Sequence, residues 1–306
     1  MLAGLEATPK AIPSEWLVDD AGADRSGVPS DAGDRDATRF EALIVERCAG
    51  AIASAVGRGA CVVAWGCAAG GVTERLLAAL DAPRLHVPVD SSALALAAAT
   101  QHLRRHFPAL PIRPIADDFM RLSALPMPVD ASAAEGRTLV VMPAQRIGAL
   151  PPDDTAALLQ RIRRHVDART VLVVGTPLSP HPSLPIDVMA GAAGIGAGLG
   201  RRLMSRINRE LGGDFDPAVW RQAIRFDAAR RRIDRALVCL EARRVRVLGR
   251  LFDVGAGESI RIDRTHVHGL ERFETLARAA GWHVCQRWTD GAAHCAVHVL
   301  MPGAGD

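Results

Sequence analysis

Apolar positions recur at helical spacing from Thr38 to Val56, and beyond them short β-branched runs alternate with amphipathic stretches. "ACVVAW" (Ala60–Trp65) predicts a buried strand, followed by a helix over 72–80. "RLHVPV" (Arg84–Val89) predicts a second strand, followed by a helix over 92–106. "IRPIA" (Ile112–Ala116) and "TLVVM" (Thr138–Met142) predict two more; a helix over 153–166 precedes "TVLVVGT" (Thr170–Thr176). Continuously apolar strands separated by helices imply a parallel sheet covered on both faces.

After Leu178 the pattern changes. "SPHPSLP" (Ser179–Pro185) interrupts it, a long helical stretch runs to Leu211, and "FDP" (Phe215–Pro217) predicts the start of another helix, with proline near its first turn. "RRRIDRALVCLEA", "RRVRVLGRLF" and "SIRID" then alternate like antiparallel strands. The first pattern returns as a helix over 269–280. "HVCQRWT" and "AHCAVHVL" follow as a hairpin around "DGAA". An α/β domain is thus interrupted by an insertion of roughly 90 residues. Five crossover strands, a late helix and a terminal hairpin suit a seven-stranded, Rossmann-like class I methyltransferase sheet better than a fold built only of parallel units. The N-terminal stretch "AGADRSGVPSDAGDRD" (Ala21–Asp36) reads as a loop.

A length of 306 residues with 49% hydrophobic content supports one large domain or two smaller ones. Lys10 is the only lysine, and arginines interleave with acids, as in "RRIDRALVCLEARRVRVLGR", for a net charge of only +3. That pattern is a solvated face, so no nucleic-acid partner is expected. Apolar runs are strand-sized or broken by Gly and Pro, so no membrane partner is expected either. Cys48, Cys61, Cys67, Cys239, Cys285 and Cys295 are scattered without a CxxC, as in a reduced, cytoplasmic protein.

The chemistry centres on "CVVAWGCAAGGVTERLLAAL" (Cys61–Leu80), a strand, small-residue turn and helix with the outline of a nucleotide-cofactor loop. Ala64, Trp65 and Ala68 stand where such loops usually carry an acid and a further glycine, so a plain strand-to-helix turn is the competing reading. Asp90, in "HVPVDSS", ends the second strand. A carboxylate there can accept ribose hydroxyls, although Asp90, Ser91 or Ser92 can equally be a helix cap. Trp65 can stack on a base or fill the core.

The insertion resembles the ergothioneine-biosynthetic histidine Nα-methyltransferases, above all in "NRELGGDFDP" (Asn208–Pro217) and "GESIR" (Gly257–Arg261). "TPKAIPSEWLVDD" (Thr8–Asp20) extends the likeness to nearly the whole chain. The resemblance implies a methyltransferase domain (44–178 and 268–306), an α+β substrate-binding domain (1–43 and 179–267) and S-adenosylmethionine as cofactor. It assigns cofactor contacts to Gly66, Asp90 and, through "ADDFMRL", to Asp118 and Phe119, where a cap and a core phenylalanine compete as explanations. Thr73 is kept, while Ala64, Ala68 and Val72 replace the family's acid, second glycine and lysine.

On the substrate side, "AQRIGAL" puts Ala149 where the family's amine-holding asparagine stands, and Met189 replaces a tyrosine in a chain without tyrosine. Asp263 and Thr265 echo the family's imidazole-gripping E-x-S, with a strand-to-helix cap as the alternative. The resemblance therefore implies an S-adenosylmethionine-dependent N-methyltransferase acting on an amino acid or related small amine other than histidine. Positioning dominates such a displacement, and no catalytic acid or base stands out. Two alternatives stay open: a non-catalytic scaffold, or an enzyme using S-adenosylmethionine for aminocarboxypropyl transfer or cyclisation. No metal is expected: His266 and His268 share a strand face but have no third ligand at a suitable interval, and "HCAVH" (His294, Cys295, His298) is set aside with them.

Overall fold

Strand Cys61–Trp65 (β1) is buried on both faces, and its period of two sorts its side chains into two cores. Val62 and Ala64 enter one apolar cluster, and Cys61, Val63 and Trp65 enter the other. The computed structural model describes residues 1–17, 36–66, 71–117, 136–178 and 197–303. In chain order the elements around β1 are α1 (Leu2–Glu6), α2 (Asp36–Val56), α3 (Val72–Ala79), β2 (Leu85–Asp90), α4 (Ala93–His106) and β3 (Ile115–Ala116). They continue with β4 (Thr138–Met142), α5 (Ala144–Gly148), α6 (Pro152–Arg164), β5 (Thr170–Pro177) and α7 (Ala197–Leu211). Strands β6 (Trp220–Asp227), β7 (Arg232–Cys239), β8 (Arg243–Val247), β9 (Arg250–Val254) and β10 (Ser259–His266) follow, then α8 (Leu270–Ala279), β11 (Trp282–Thr289) and β12 (Cys295–Pro302).

The chain divides into two compact units, 37–181 with 266–306 and 1–36 with 182–265. In the first, seven strands run in the order β11-β12-β5-β4-β1-β2-β3. Strands β1 to β5 pair in parallel, whereas β12 is antiparallel to both β5 and β11. That is the α/β, Rossmann-like sheet with a terminal hairpin read from the sequence. One face packs against Ile44, Val45 and Ile52 of α2, Leu76 and Leu77 of α3, and Leu103 of α4. The other packs against Ile147 of α5, Leu158, Leu159 and Ile162 of α6, and Phe273 and Ala277 of α8. Trp282 is buried and donates its indole N–H to the Leu159 carbonyl at 2.9 Å, so the first residue of β11 is fixed to α6.

The second unit has its own core, in which Leu5 and Ile12 join Leu203 and Ile207 of α7 and Leu237, Val245 and Ile260 of the strands. A three-stranded sheet, β10-β7-β6, stands beside the β8–β9 hairpin, which turns through Leu248 and Gly249 at positive φ. Ala11 forms a parallel bridge with Arg261, adding the N-terminal segment alongside β10. "FDP" differs from expectation. Asp216 caps only a three-residue 3-10 turn, Pro217–Val219, before the chain extends into β6. Trp220 and Phe226 suit a strand paired along its whole length with β7 better than a helix. Among the described residues, no helix is long and apolar enough to cross a membrane.

Two buried histidines in the larger unit contribute to its acid sensitivity. His86 of β2 hydrogen-bonds the Val62 carbonyl through Nδ1 at 3.1 Å, and since a carbonyl only accepts, Nδ1 carries the proton. Burial pulls its pKa down to about 4, partly opposed by that bond. His298 of β12 lies within hydrogen-bond distance of the Thr176 hydroxyl at 3.0 Å, and burial lowers its pKa to about 3, with Arg287 and His268 adding to the shift. Each is held neutral when folded, so the unfolded chain takes up protons first and stability falls as pH drops below the usual imidazole range. Replacing His86 by Leu should remove about 2 kcal/mol of the stability lost between pH 7 and pH 5. Urea midpoints of both proteins at the two pH values provide the measurement; equal losses refute the assignment.

Candidate active site

The parallel register of β1 and β2 pairs Trp65 with Val89, so the next residues, Gly66 and Asp90, meet at the carboxyl edge of the sheet. Gly66 adopts φ +81°, accessible to glycine at no steric penalty, and its N–H donates to the Val89 carbonyl at 2.9 Å. Asp90 is buried, and its Oδ1 accepts the Ser92 N–H at 3.0 Å. The helix cap is Ser92, whose Oγ accepts the Ala95 N–H at 3.2 Å. Asp90 is therefore not the cap. Its other oxygen, Oδ2, takes a 2.8 Å ion pair from Nη2 of Arg146.

Arg146 was not singled out in the sequence. It stands on the short α5, directly beyond β4, and its side chain crosses Gly66: a Cβ built on that glycine would come within 2.3 Å of the Arg146 Nε. The glycine thus leaves room for a guanidinium as well as relieving the backbone. A third of the Arg146 side chain is open to solvent. Its signal in the sequence was a lone charge in "AQRIGAL", just past an apolar strand.

Trp65 is 1% exposed and packs on the face shared by Val63, Val89, Met142 and Ile147, so it is a core residue. Ala64 and Val72 are buried in the opposite core. Ala149 closes α5 as an exposed C-cap with only a methyl to offer. Asp118, Phe119, Met189 and Ala68 lie outside the described residues.

Glu41 also escaped the sequence reading. It lies on α2, 1% exposed, with both carboxyl oxygens at 3.1 and 3.0 Å from the Ala144 N–H. A Cβ on Gly175 would fall 1.9 Å from its Oε1, so β5 needs glycine here. Burial pushes the Glu41 pKa up to about 8, against the pull of the Ala144 N–H. The detectable signal was an acid in helical register with Ile44, Val45 and Cys48.

In the other unit, Asp263 and Thr265 share a face of β10, and Arg235 of β7 reaches both. Its Nη1 is 2.8 Å from Asp263 Oδ2 and 3.2 Å from Thr265 Oγ1. The cap alternative fails, because Gly269 is the N-cap of α8 and no side chain caps that helix. Asp263 and Thr265 are a guanidinium seat, and that seat is mostly sheltered from solvent.

Three of the histidines weighed for metal binding, His268, His294 and His298, meet other groups. His294 pairs with Asp290 at 2.8 Å and stacks on Phe40. Cys295 packs into one core and His298 lies against Phe273 from the other, so the two face opposite sides of the sheet. Burial drives the Cys295 thiol pKa well up, helped by Glu41 and Asp290. His268 meets Phe273 edge-on at 6.3 Å.

A carboxyl with a raised folded pKa binds its proton more tightly than the unfolded chain does. Its stabilising effect is complete below the ordinary glutamate range and fades as pH rises through about 8. Glu41→Gln should therefore abolish roughly 3 kcal/mol of the stability lost between pH 5 and pH 8. Denaturation at the two pH values tests it; an unchanged slope removes Glu41 as the cause.

The whole-chain comparisons agree with this architecture. Residues 1–302 match the family model described as histidine-specific methyltransferase, SAM-dependent. The histidine N-alpha-methyltransferase of Mycobacterium tuberculosis (strain CDC 1551 / Oshkosh) is 29% identical over 295 residues, covering 94% of this chain and 89% of the relative. The enzyme of the same name from Mycolicibacterium smegmatis (strain ATCC 700084 / mc(2)155) is also 29% identical, over 95% of this chain and 90% of its own length. In fold, the CcbJ methyltransferase from Streptomyces caelestis aligns with a TM-score of 0.50 at 16% identity, over 94% of this chain and 98% of that one. Matched along almost its entire length, the chain belongs to the histidine-specific methyltransferase family as a divergent member, and it is an S-adenosylmethionine-dependent methyltransferase.

Proposed function

We propose that the protein N-methylates an amino acid or related small amine other than histidine. In this reading residues 44–178 with 268–306 form the methyltransferase domain, and 1–43 with 179–267 the substrate-binding domain. Gly66, Asp90, Asp118 and Phe119 hold the cofactor, while Asp263, Thr265, Met189 and Ala149 belong to the acceptor side. When bound, S-adenosylmethionine supplies a sulfonium methyl open to in-line attack by a neutral amine. The positions of Gly66 and Asp90 fit that ligand, since a bare backbone and a buried acceptor stand side by side at the strand ends. Asp90 would exchange the Arg146 guanidinium for ribose hydroxyls.

The observation that carries the choice of substrate is Arg235. Asp263 and Thr265 occupy the positions that in the resembling family grip an imidazole, yet here both receive one guanidinium nitrogen. An imidazole would have to displace that cation. A side chain bearing a carboxylate or amide would be received by it. Ala149 offers no side-chain acceptor to orient the amine, which further separates the acceptor from that of the relatives.

Incubation with S-adenosylmethionine and pooled amino acids, followed by a mass scan for added methyl units, tests the reading. Methylation of a non-histidine amine with release of S-adenosylhomocysteine is expected. Histidine as the preferred acceptor refutes the substrate choice, and methylthioadenosine as product refutes methyl transfer. A second test uses adenosine, which has hydroxyls for Asp90 but no carboxylate for Arg146. Arg146→Ala should tighten adenosine binding about tenfold by removing the competitor, and Asp90→Asn should weaken it by a similar factor. Calorimetric titration reads both; weaker binding by Arg146→Ala would show that Arg146 is not a competitor at that carboxylate.

A further inference from the structure

Away from the strand ends, α3 and α4 bring together three side chains that the reaction does not use. His102 and His106 stand one turn apart on α4, so their imidazoles project from the same helix face. Glu74, in the first turn of α3 and 28 residues earlier in the chain, reaches both. Its Oε2 is 3.0 Å from His102 Nε2, and its Oε1 is 4.0 Å from His106 Nε2. One ligand atom from each residue lies within 4.8 Å of the others.

We propose that Glu74, His102 and His106 form a divalent transition-metal site, best suited to zinc, that ties α3 to α4. Two imidazole nitrogens and a carboxylate oxygen are a donor set zinc accepts, leaving a fourth position for water. Tetrahedral bonds of zinc length put donors about 3.3 Å apart, so a cluster whose donor atoms all lie within 4.8 Å of one another closes on an ion with side-chain adjustments of up to about 1.5 Å.

The tautomer of His106 is already set for ligation. Its Nδ1 lies 3.0 Å from the His102 carbonyl, and that oxygen can only accept. Nδ1 therefore carries the proton and Nε2 presents its lone pair towards Glu74, the outer-shell arrangement that orients metal-bound imidazoles. The rings are 4.3 Å apart and tilted by 40°, directing both Nε2 atoms to one side. In a chain rich in arginine, the basic side chains within 4.0 Å of the Glu74 carboxylate are, among the described residues, both imidazoles, while neighbouring Arg75 turns to Glu46 and the Gly71 carbonyl. All three side chains are partly open to solvent, which gives an ion an entry path.

The tether would fix the helix that starts one residue after Gly71, at the exit of the small-residue loop, to the last turns of the helix that begins after Asp90. Zinc titration of the untagged protein, in a Cys285→Ser background to remove the thiol that is exposed among the described residues, tests it by calorimetry and thermal denaturation. One equivalent of zinc should bind at micromolar concentration and raise Tm. Glu74→Gln, His102→Gln and His106→Gln should each weaken binding about tenfold or more and abolish the Tm shift. Far-UV circular dichroism confirms that each variant is folded. Weakening in at least two variants supports the site; wild-type affinity in two or more, or no binding up to millimolar zinc, overturns it.

Discussion

A carboxylate buried at the end of a strand has to find compensation, and the carboxyl edge of β1 and β2 is organised around that demand. Among the described residues, the Ser92 N–H, at the turn into α4, and Arg146, reaching across from α5, both supply it to Asp90. The guanidinium can take that path only because residue 66 has no side chain. One ion pair therefore accounts for a glycine just after β1 and a charge on the segment after β4. That carboxylate is neutralised by a cation from within the same unit.

The segment after β4 is held from a second side by another acid. Glu41 receives the Ala144 N–H, two residues before Arg146, and packs against bare Gly175 on β5. Burial raises its pKa to about 8, so near neutral pH it sits there mostly as a neutral carboxyl group. The first turn of α5 is thus fixed by a hydrogen bond at its backbone and by an ion pair at its side chain. The conformation of this segment rests on acids that are distant from it in the chain.

The inserted unit shows how a sequence signature can be structural and still be diagnostic. In "NRELGGDFDP", Asn208 bonds the Phe215 backbone in both directions, at 2.7 and 2.9 Å, while Gly212 takes φ +58°. Asp214 accepts the Arg246 N–H, and Asp216 caps the following turn. Every one of these residues shapes a loop that ends α7 and launches β6. The chemically informative residues, Asp263 and Thr265, were legible as a pair on one strand face, because a period of two needs no tertiary knowledge. Their partner Arg235 was not legible: it lies on β7, and nothing local distinguishes it from the arginines around it.

The sequence by itself determined the parallel sheet, the interrupted α/β pattern, the terminal hairpin and the placement of Gly66 and Asp90 at strand ends. Those features follow from local periodicity and from glycine and proline, which act within a few residues. Tertiary structure alone decided who faces the carboxylates. Asp90 and Arg146 are 56 residues apart, Glu41 and Ala144 are 103 apart, and Glu74 and His102 are 28 apart. An isolated charge in a sequence carries no mark of its partner; only the folded sheet and its covering helices bring the two within hydrogen-bond distance.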